Sequence, residues 1–179
     1  MSSRMPVSEP ASSAEPLWER VCSEIELGTP CGVAVRCFTD SDMQPLPPLT
    51  YAAFADTVDS APLELWTSKI PSIVNGRYGE LLPKASFVAE DACGQLIGAV
   101  LATDFPVYQA PVIALIAVLP SAQRRGVGTC LLRRCMNALA AEGFPLCRAR
   151  ISPGNEASRR LFLKTGFRLA TFRATERDA

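Results

Sequence analysis

The chain has 179 residues, 48% of them apolar, and its eighteen basic and eighteen acidic side chains cancel to no formal net charge. Such a length and composition suffice for one full core, so a single domain is expected over residues 16–179, behind residues 1–15, whose prolines and serines read as a disordered tail. Neutrality argues against a general nucleic-acid binder, no apolar run approaches the roughly 20 residues of a membrane span, and the complete lack of histidine excludes Ser-His-Asp and Cys-His catalysis together with histidine metal sites.

Pro16–Glu26 carries Leu17, Val21 and Ile25 at spacings of four, which predicts a short helix. Gly32–Phe38 reads as a first strand. The turn-rich stretch Thr39–Leu49, with Pro45, Pro47 and Pro48, leads into helices expected near Thr50–Asp59 and Pro62–Val74. Ala85–Glu90 and Gln95–Thr103 flank Asp91-Ala92-Cys93-Gly94, the signal of a hairpin. Val112–Val118 is an uncharged apolar run suited to a strand covered on both faces, and Pro120, which has no N–H to give, ends its ladder.

Gln123-Arg124-Arg125-Gly126-Val127-Gly128-Thr129 follows. Its small residues let the backbone close on a ligand and turn successive N–H groups inward as an anion nest. The next helix adds its positive N-terminal end, so a diphosphate there would meet amide donors, a helix dipole and two guanidinium groups. That helix sets Val127, Leu131, Leu132, Cys135, Met136 and Leu139 along one stripe, with Arg133, Arg134 and Asn137 opposite, and stops at Gly143. Leu146–Ile151 is the next strand, Glu156–Thr165 a last helix capped by Asn155, and Phe167–Thr171 a closing strand. Elements in this order predict an α/β fold with a central mixed sheet. It is antiparallel early and has a parallel pair around the loop helix, because a strand-helix-strand crossover is parallel and right-handed.

The seven cysteines form no Cys-x-x-Cys pair, and Met1–Glu15 holds no hydrophobic segment that could direct export. Reduced thiols in a cytoplasmic protein are therefore expected. Charge is divided along the chain. Residues 124–177 hold twelve Arg or Lys against Glu142, Glu156 and Glu176, which favours an anionic ligand, whereas Cys37–Ser68 holds Asp40, Asp42, Asp56, Asp59 and Glu64 and no basic residue.

Two segments together resemble a known family. The first is the apolar strand followed by Val118-Leu119-Pro120 and Gln123-x-x-Gly126-x-Gly128 at the start of a helix. The second is Asn155 opening a helix that closes in Leu161-Phe162-Leu163-Lys164-Thr165-Gly166-Phe167. From Phe87 to Phe172 the sequence is similar to the GCN5-related N-acetyltransferases (GNAT). The resemblance implies their acyl-CoA N-acyltransferase fold, in which the strands around the loop helix splay apart at a bulge and the pantetheine arm of acetyl-CoA lies in the gap. It implies contacts to that co-substrate from Ile116, Ala117 and Val118 on the strand. Gln123, Arg124, Arg125, Gly126, Val127, Gly128 and Thr129 would serve on the loop, and Asn155, Ser158 and Phe162 on the last helix. The Ile116 N–H would polarise the thioester carbonyl as an oxyanion donor.

The sequence departs from the family at two points. The aromatic position often filled by a Tyr acting as general acid is Phe162, and Val112–Val118 lacks the carboxylate base sometimes found there. Glu90, Asp104 and Tyr108 remain as candidate bases. The activity implied is transfer of acetyl from acetyl-CoA to a primary amine of a small molecule or peptide, by a monomer or homodimer without metal, nucleic acid or membrane. An acyl-CoA sensor of the same fold, with weak or no catalysis, is the alternative. The acidic stretch Cys37–Ser68 falls on the expected acceptor side and suggests a cationic amine.

Overall fold

A computed structural model describes residues 16–28, 30 and 32–170 of the chain. The expected tail at 1–15, Cys31 and Thr171 lie outside the described residues. Eight strands form one sheet: β1 (Leu17–Val21), β2 (Ala34–Cys37), β3 (Glu80–Leu81), β4 (Phe87–Glu90), β5 (Leu96–Phe105), β6 (Ala110–Val118), β7 (Leu146–Arg150) and β8 (Arg168–Leu169). Their order is β2-β4-β5-β6-β7-β1-β8, with β3 paired to β5, and among these described strands only β6 and β7 run parallel. Four helices cover the faces: α1 (Leu46–Phe54), α2 (Leu63–Val74), α3 (Val127–Ala141) and α4 (Glu156–Lys164).

Strand alternation divides the core between the two faces. On β5, Val100 and Ala102 join the cluster under α3 and α4, while Ala99 and Leu101 join the one under α1 and α2. The α3 stripe read from the sequence is fully buried, and no helix among the described residues is long and apolar enough to cross a membrane.

Pro16–Glu26 is not a helix. Leu17–Val21 is a strand between β7 and β8, antiparallel to both, with Leu17 and Trp18 buried. The spacing of Leu17, Val21 and Ile25 misled because ladder bonds on both sides outweigh an uncapped helix of barely three turns. Downstream, Asn137 on α3 both accepts from the Ile25 N–H and donates to its carbonyl, each at 2.8 Å. A side-chain amide thus pairs the segment after β1 as a strand would.

The first helix starts four residues before the expected Thr50, because Pro47 and Pro48 need no N–H partner in its first turn. It also ends earlier, at Phe54, which frees residues 55–62 as a loop. The hairpin, β6, α3, β7 and α4 lie where the sequence places them, within the fraying of element ends.

Candidate active site

The site begins with a defect in β6. Leu101 pairs with Leu115 but Ala102 pairs with Ile113, so Ala114 is an extra residue bulged from the β5–β6 ladder. The bulge changes the side-chain parity of β6, and Ile113, Ile116 and Val118 all pack toward α3. On its other edge β6 registers with β7 at one pair, Val112 with Arg148. Beyond it the two strands separate, and Ile116, Ala117 and Val118 border the opening.

Past Val118 the chain makes a single turn at Pro120–Ala122. Arg124 (φ 59°) and Gly126 (φ 85°) are left-handed, the alternation that forms a nest. Gly126 is the N-cap of α3 and its carbonyl takes the Cys130 N–H at 2.9 Å. The N–H groups of Val127, Gly128 and Thr129 therefore have no partner within the helix. Gln123 donates its Nε2 hydrogen to the Val118 carbonyl at 3.1 Å, closing the loop onto the end of β6.

A groove of about 470 Å³ runs along these elements, bordered by Ile116, Ala117, Val118, Gln123, Arg124 and residues 126–129 on one side. Asn155, Ser158, Arg160 and Lys164 of the α4 segment border the other. A second cavity, of about 380 Å³, lies on the opposite side of Ile116, walled by Trp66, Phe105, Tyr108 and Phe162 and carrying Asp59, Lys69 and Arg150. Phe54, Ile116, Asn155 and Ser158 border both.

Most residues singled out from the sequence therefore converge, with four exceptions. Arg125 is exposed and does not border the groove, although Arg124 beside it does. Phe162, 3% exposed and edge-on to Phe167 at 4.9 Å, lines the second cavity rather than the groove. Asp104 faces away from both cavities, because Thr103 and Phe105 on either side of it line the second one and a strand alternates. Glu90 lies two strands from the gap and is held by Arg36 at 2.7 Å.

Arg36 also forks onto Asp42. Burial by itself would raise that carboxyl, but the bonds from Arg36 and Thr39 hold it below the usual carboxylate range. Asp42 is thus committed to structure. Of the five carboxylates in Cys37–Ser68 only Asp59 lines the second cavity; the stretch otherwise borders it with Phe54, Ala61, Leu65 and Trp66, which carry no charge.

Tyr108, the remaining candidate base, does line that cavity. Its hydroxyl accepts from Arg150 Nε at 2.7 Å, and the guanidinium lies over its ring at 5.4 Å. Sequence reasoning missed the individual roles of Asp59, Lys69, Trp66 and Arg150, which belong to three separate elements and share no local motif. Three of the thiols are removed from the chemistry by burial. Burial pushes Cys22 up to about 11 and raises Cys135 and Cys147 as well.

A mixed sheet that parts at its parallel pair, with a nest and helix start beside the opening, has the architecture of an acyl-CoA-dependent N-acetyltransferase. The sequence model of the Acetyltransferase (GNAT) family matches residues 51–167. A phosphinothricin N-acetyltransferase from Streptomyces coelicolor is 32% identical over 152 residues, covering 81% of this chain and 88% of that one. A GCN5-related N-acetyltransferase from Sphaerobacter thermophilus aligns with a TM-score of 0.69 at 16% identity, over 87% of this chain. The chain spans about half of that protein's length, 48%. A GNAT family acetyltransferase from Brucella melitensis, solved in complex with acetyl-CoA, gives a TM-score of 0.57 at 20% identity, over 76% of this chain and 82% of its own. The chain belongs to the GNAT family of acetyltransferases.

Proposed function

We propose that the protein transfers the acetyl group of acetyl-CoA to the primary amine of a small, amino-acid-like molecule. The observation that carries this reading is the meeting of the groove and the second cavity at Ile116, Asn155 and Ser158. A thioester bound in the groove and an amine bound in the cavity would come together there, shielded from water by Phe54 and Phe162.

In this reading the unpartnered N–H groups of residues 127–129, with Arg124, Arg160 and Lys164, hold the pyrophosphate. The open edge of β6 takes the amides of the pantetheine arm, and the Ile116 N–H faces the thioester oxygen. The residues fit this co-substrate in shape as well as in charge. A Cβ on Gly128 would lie 3.3 Å from Leu161 Cδ2 and 3.5 Å from Val118 Cγ2, so a larger residue there would push on Leu161 beside the groove.

The character of the acceptor follows from the cavity. Lys69 and Arg150 outnumber Asp59, and aromatic rings supply most of the remaining wall. An acceptor with an anionic group beside its amine matches the charge of these side chains, whereas the polycationic amine suggested by the acidic stretch would face them. Phosphinothricin, named for the Streptomyces relative, is an amino acid with two anionic groups and fits the same description.

The test is release of free thiol from acetyl-CoA across a panel of amines matched in size and differing in charge. Turnover favouring amino acids over polyamines supports the reading. Tight acetyl-CoA binding without turnover on any amine would replace it with the sensor.

No described acid stands where the family often places a Tyr, and a thiolate such as that of coenzyme A is a tolerable leaving group without one, being far less basic than an alkoxide. Phe162→Tyr is accordingly expected to leave turnover within a few-fold of the parent, or to raise it if departure of the thiolate limits the rate. Steady-state kinetics with a thermal melt checks this. A variant that unfolds would show that the Phe162–Phe167 contact leaves no room for a hydroxyl.

A further inference from the structure

We propose that Asp59 is the base of the transfer, receiving the acceptor's ammonium and taking its proton, and that Asn155 is the residue that positions it. The proposal rests on the reading of the chain as an acetyl-CoA-dependent N-acetyltransferase. At neutral pH an aliphatic amine arrives protonated and only its neutral form attacks, so a proton acceptor must face the acceptor where the two cavities meet. Among the described residues lining the second cavity, Asp59 is the one carboxylate. The other charged or titratable groups there are Lys69 from α2, Tyr78 before β3, Tyr108 after β5 and Arg150 at the end of β7. Of this set the carboxylate alone has two acceptor oxygens and no hydrogen of its own to donate.

The geometry holds this carboxylate from several sides. Asp59 lies in the loop between α1 and α2. Thr57 Oγ1 accepts the Asp59 N–H at 3.2 Å and donates its own hydrogen to the Phe54 carbonyl at 3.0 Å. Val58 packs on Gly154, where an added Cβ would sit 3.2 Å from Val58 Cγ1. Asp59 Oδ2 then accepts a hydrogen from Asn155 Nδ2 at 2.6 Å. Asn155 is only 5% exposed, and its Oδ1 is occupied by the Ser158 N–H at 3.0 Å as the cap of α4. Because the oxygen is taken, the amide can turn only its NH2 group toward Asp59. Asp59 Oδ1 makes no hydrogen bond among the described residues and is left for the acceptor. Asn155 borders both cavities, so the carboxylate is fixed to the element that separates acceptor from thioester.

In the transfer, Asp59 takes one proton from the ammonium, and the freed lone pair forms the C–N bond at the thioester carbon. The C–S bond breaks as the carbonyl re-forms, and its electron pair leaves on the coenzyme A sulfur, which takes the second proton from the nitrogen of the new amide. Asp59 returns its proton to solvent. The sum is ammonium plus acetyl-CoA giving amide, coenzyme A and one proton. Lys69 and Arg150, lining the same cavity, favour loss of the ammonium proton by repulsion.

The experiment compares wild type, Asp59→Asn and Asn155→Ser in thiol-release kinetics, using the amine of the panel that wild type turns over fastest, across pH. Asn is isosteric and still accepts from Asn155, and Ser still caps α4, so both variants should fold. Asp59→Asn is expected to lower kcat about 10²–10⁴-fold with the KM for acetyl-CoA unchanged. The deficit should shrink as pH rises toward the amine's own pKa, because an amine already neutral needs no base. Asn155→Ser should show a smaller loss with the same pH trend. An Asp59→Asn enzyme with full activity, or one whose deficit is constant with pH and accompanied by a raised KM for acetyl-CoA, overturns the base assignment and leaves the transferase reading standing. A wild type without turnover on any amine overturns the transferase reading itself and this proposal with it.

Discussion

Gly128→Val is expected to cost the protein most of its affinity for acetyl-CoA, at least tenfold by calorimetry, while the fold survives. Gly128 lies in the first turn of α3 with an ordinary helical backbone, so valine, a better helix former than glycine, meets no backbone strain and no loss of helix propensity. Its Cβ already sits 3.3 Å from Leu161 and 3.5 Å from Val118, and both neighbours border the groove. The added methyls must either displace Leu161 or stand in front of the helix's free N–H groups, and each route blocks close approach of a pyrophosphate. Gly126→Val would be a poorer probe, because φ of 85° strains any branched residue and mixes folding with binding. Unchanged affinity in a folded Gly128→Val protein would remove this loop from the binding site.

Arg150→Ala is expected to raise the KM for an amino-acid acceptor by about tenfold or more, consistent with loss of a charged hydrogen bond, while kcat stays within a few-fold. The discriminating comparison uses an amine of similar shape without the anionic group, for which wild type and variant should perform alike. Because Arg150 also donates to the Tyr108 hydroxyl, Tyr108→Phe is the control for lost packing and should be nearly silent if anion binding dominates. Equal losses on both amines would make Arg150 a structural residue of the cavity wall.

How much of this was legible in the sequence differs by element. α3 was read correctly to within two residues because its seven buried positions repeat at helical spacing around a polar face, and a buried stripe is local information. Gln123–Thr129 was legible for a related reason. Glycines, a preceding proline and a following helix fix backbone geometry within a few residues, and here that geometry is a nest at the start of α3. β1 failed because nothing in Leu17–Val21 announces the two strands, β7 and β8, more than a hundred residues away, that pair with it.

The acceptor cavity divides in the same way. Phe162 and Asn155 could be singled out from one segment, but not that Asn155 would spend both ends of its amide, on Ser158 and on Asp59, or that Phe162 would line the second cavity and not the groove. Counting charges along the chain suggested an acidic acceptor side. The fold retires Asp42 into an ion pair and brings Lys69 and Arg150 from α2 and β7 to the one carboxylate that stays in the cavity. By itself the sequence determined the family, the order of the main elements and the glycine loop that opens α3, since each depends on contacts within a turn or a strand. Only the tertiary structure decided the β6 bulge, the charge of the second cavity and the placement of Asp59. These depend on which distant strands share the sheet and on which side chains their alternation turns inward.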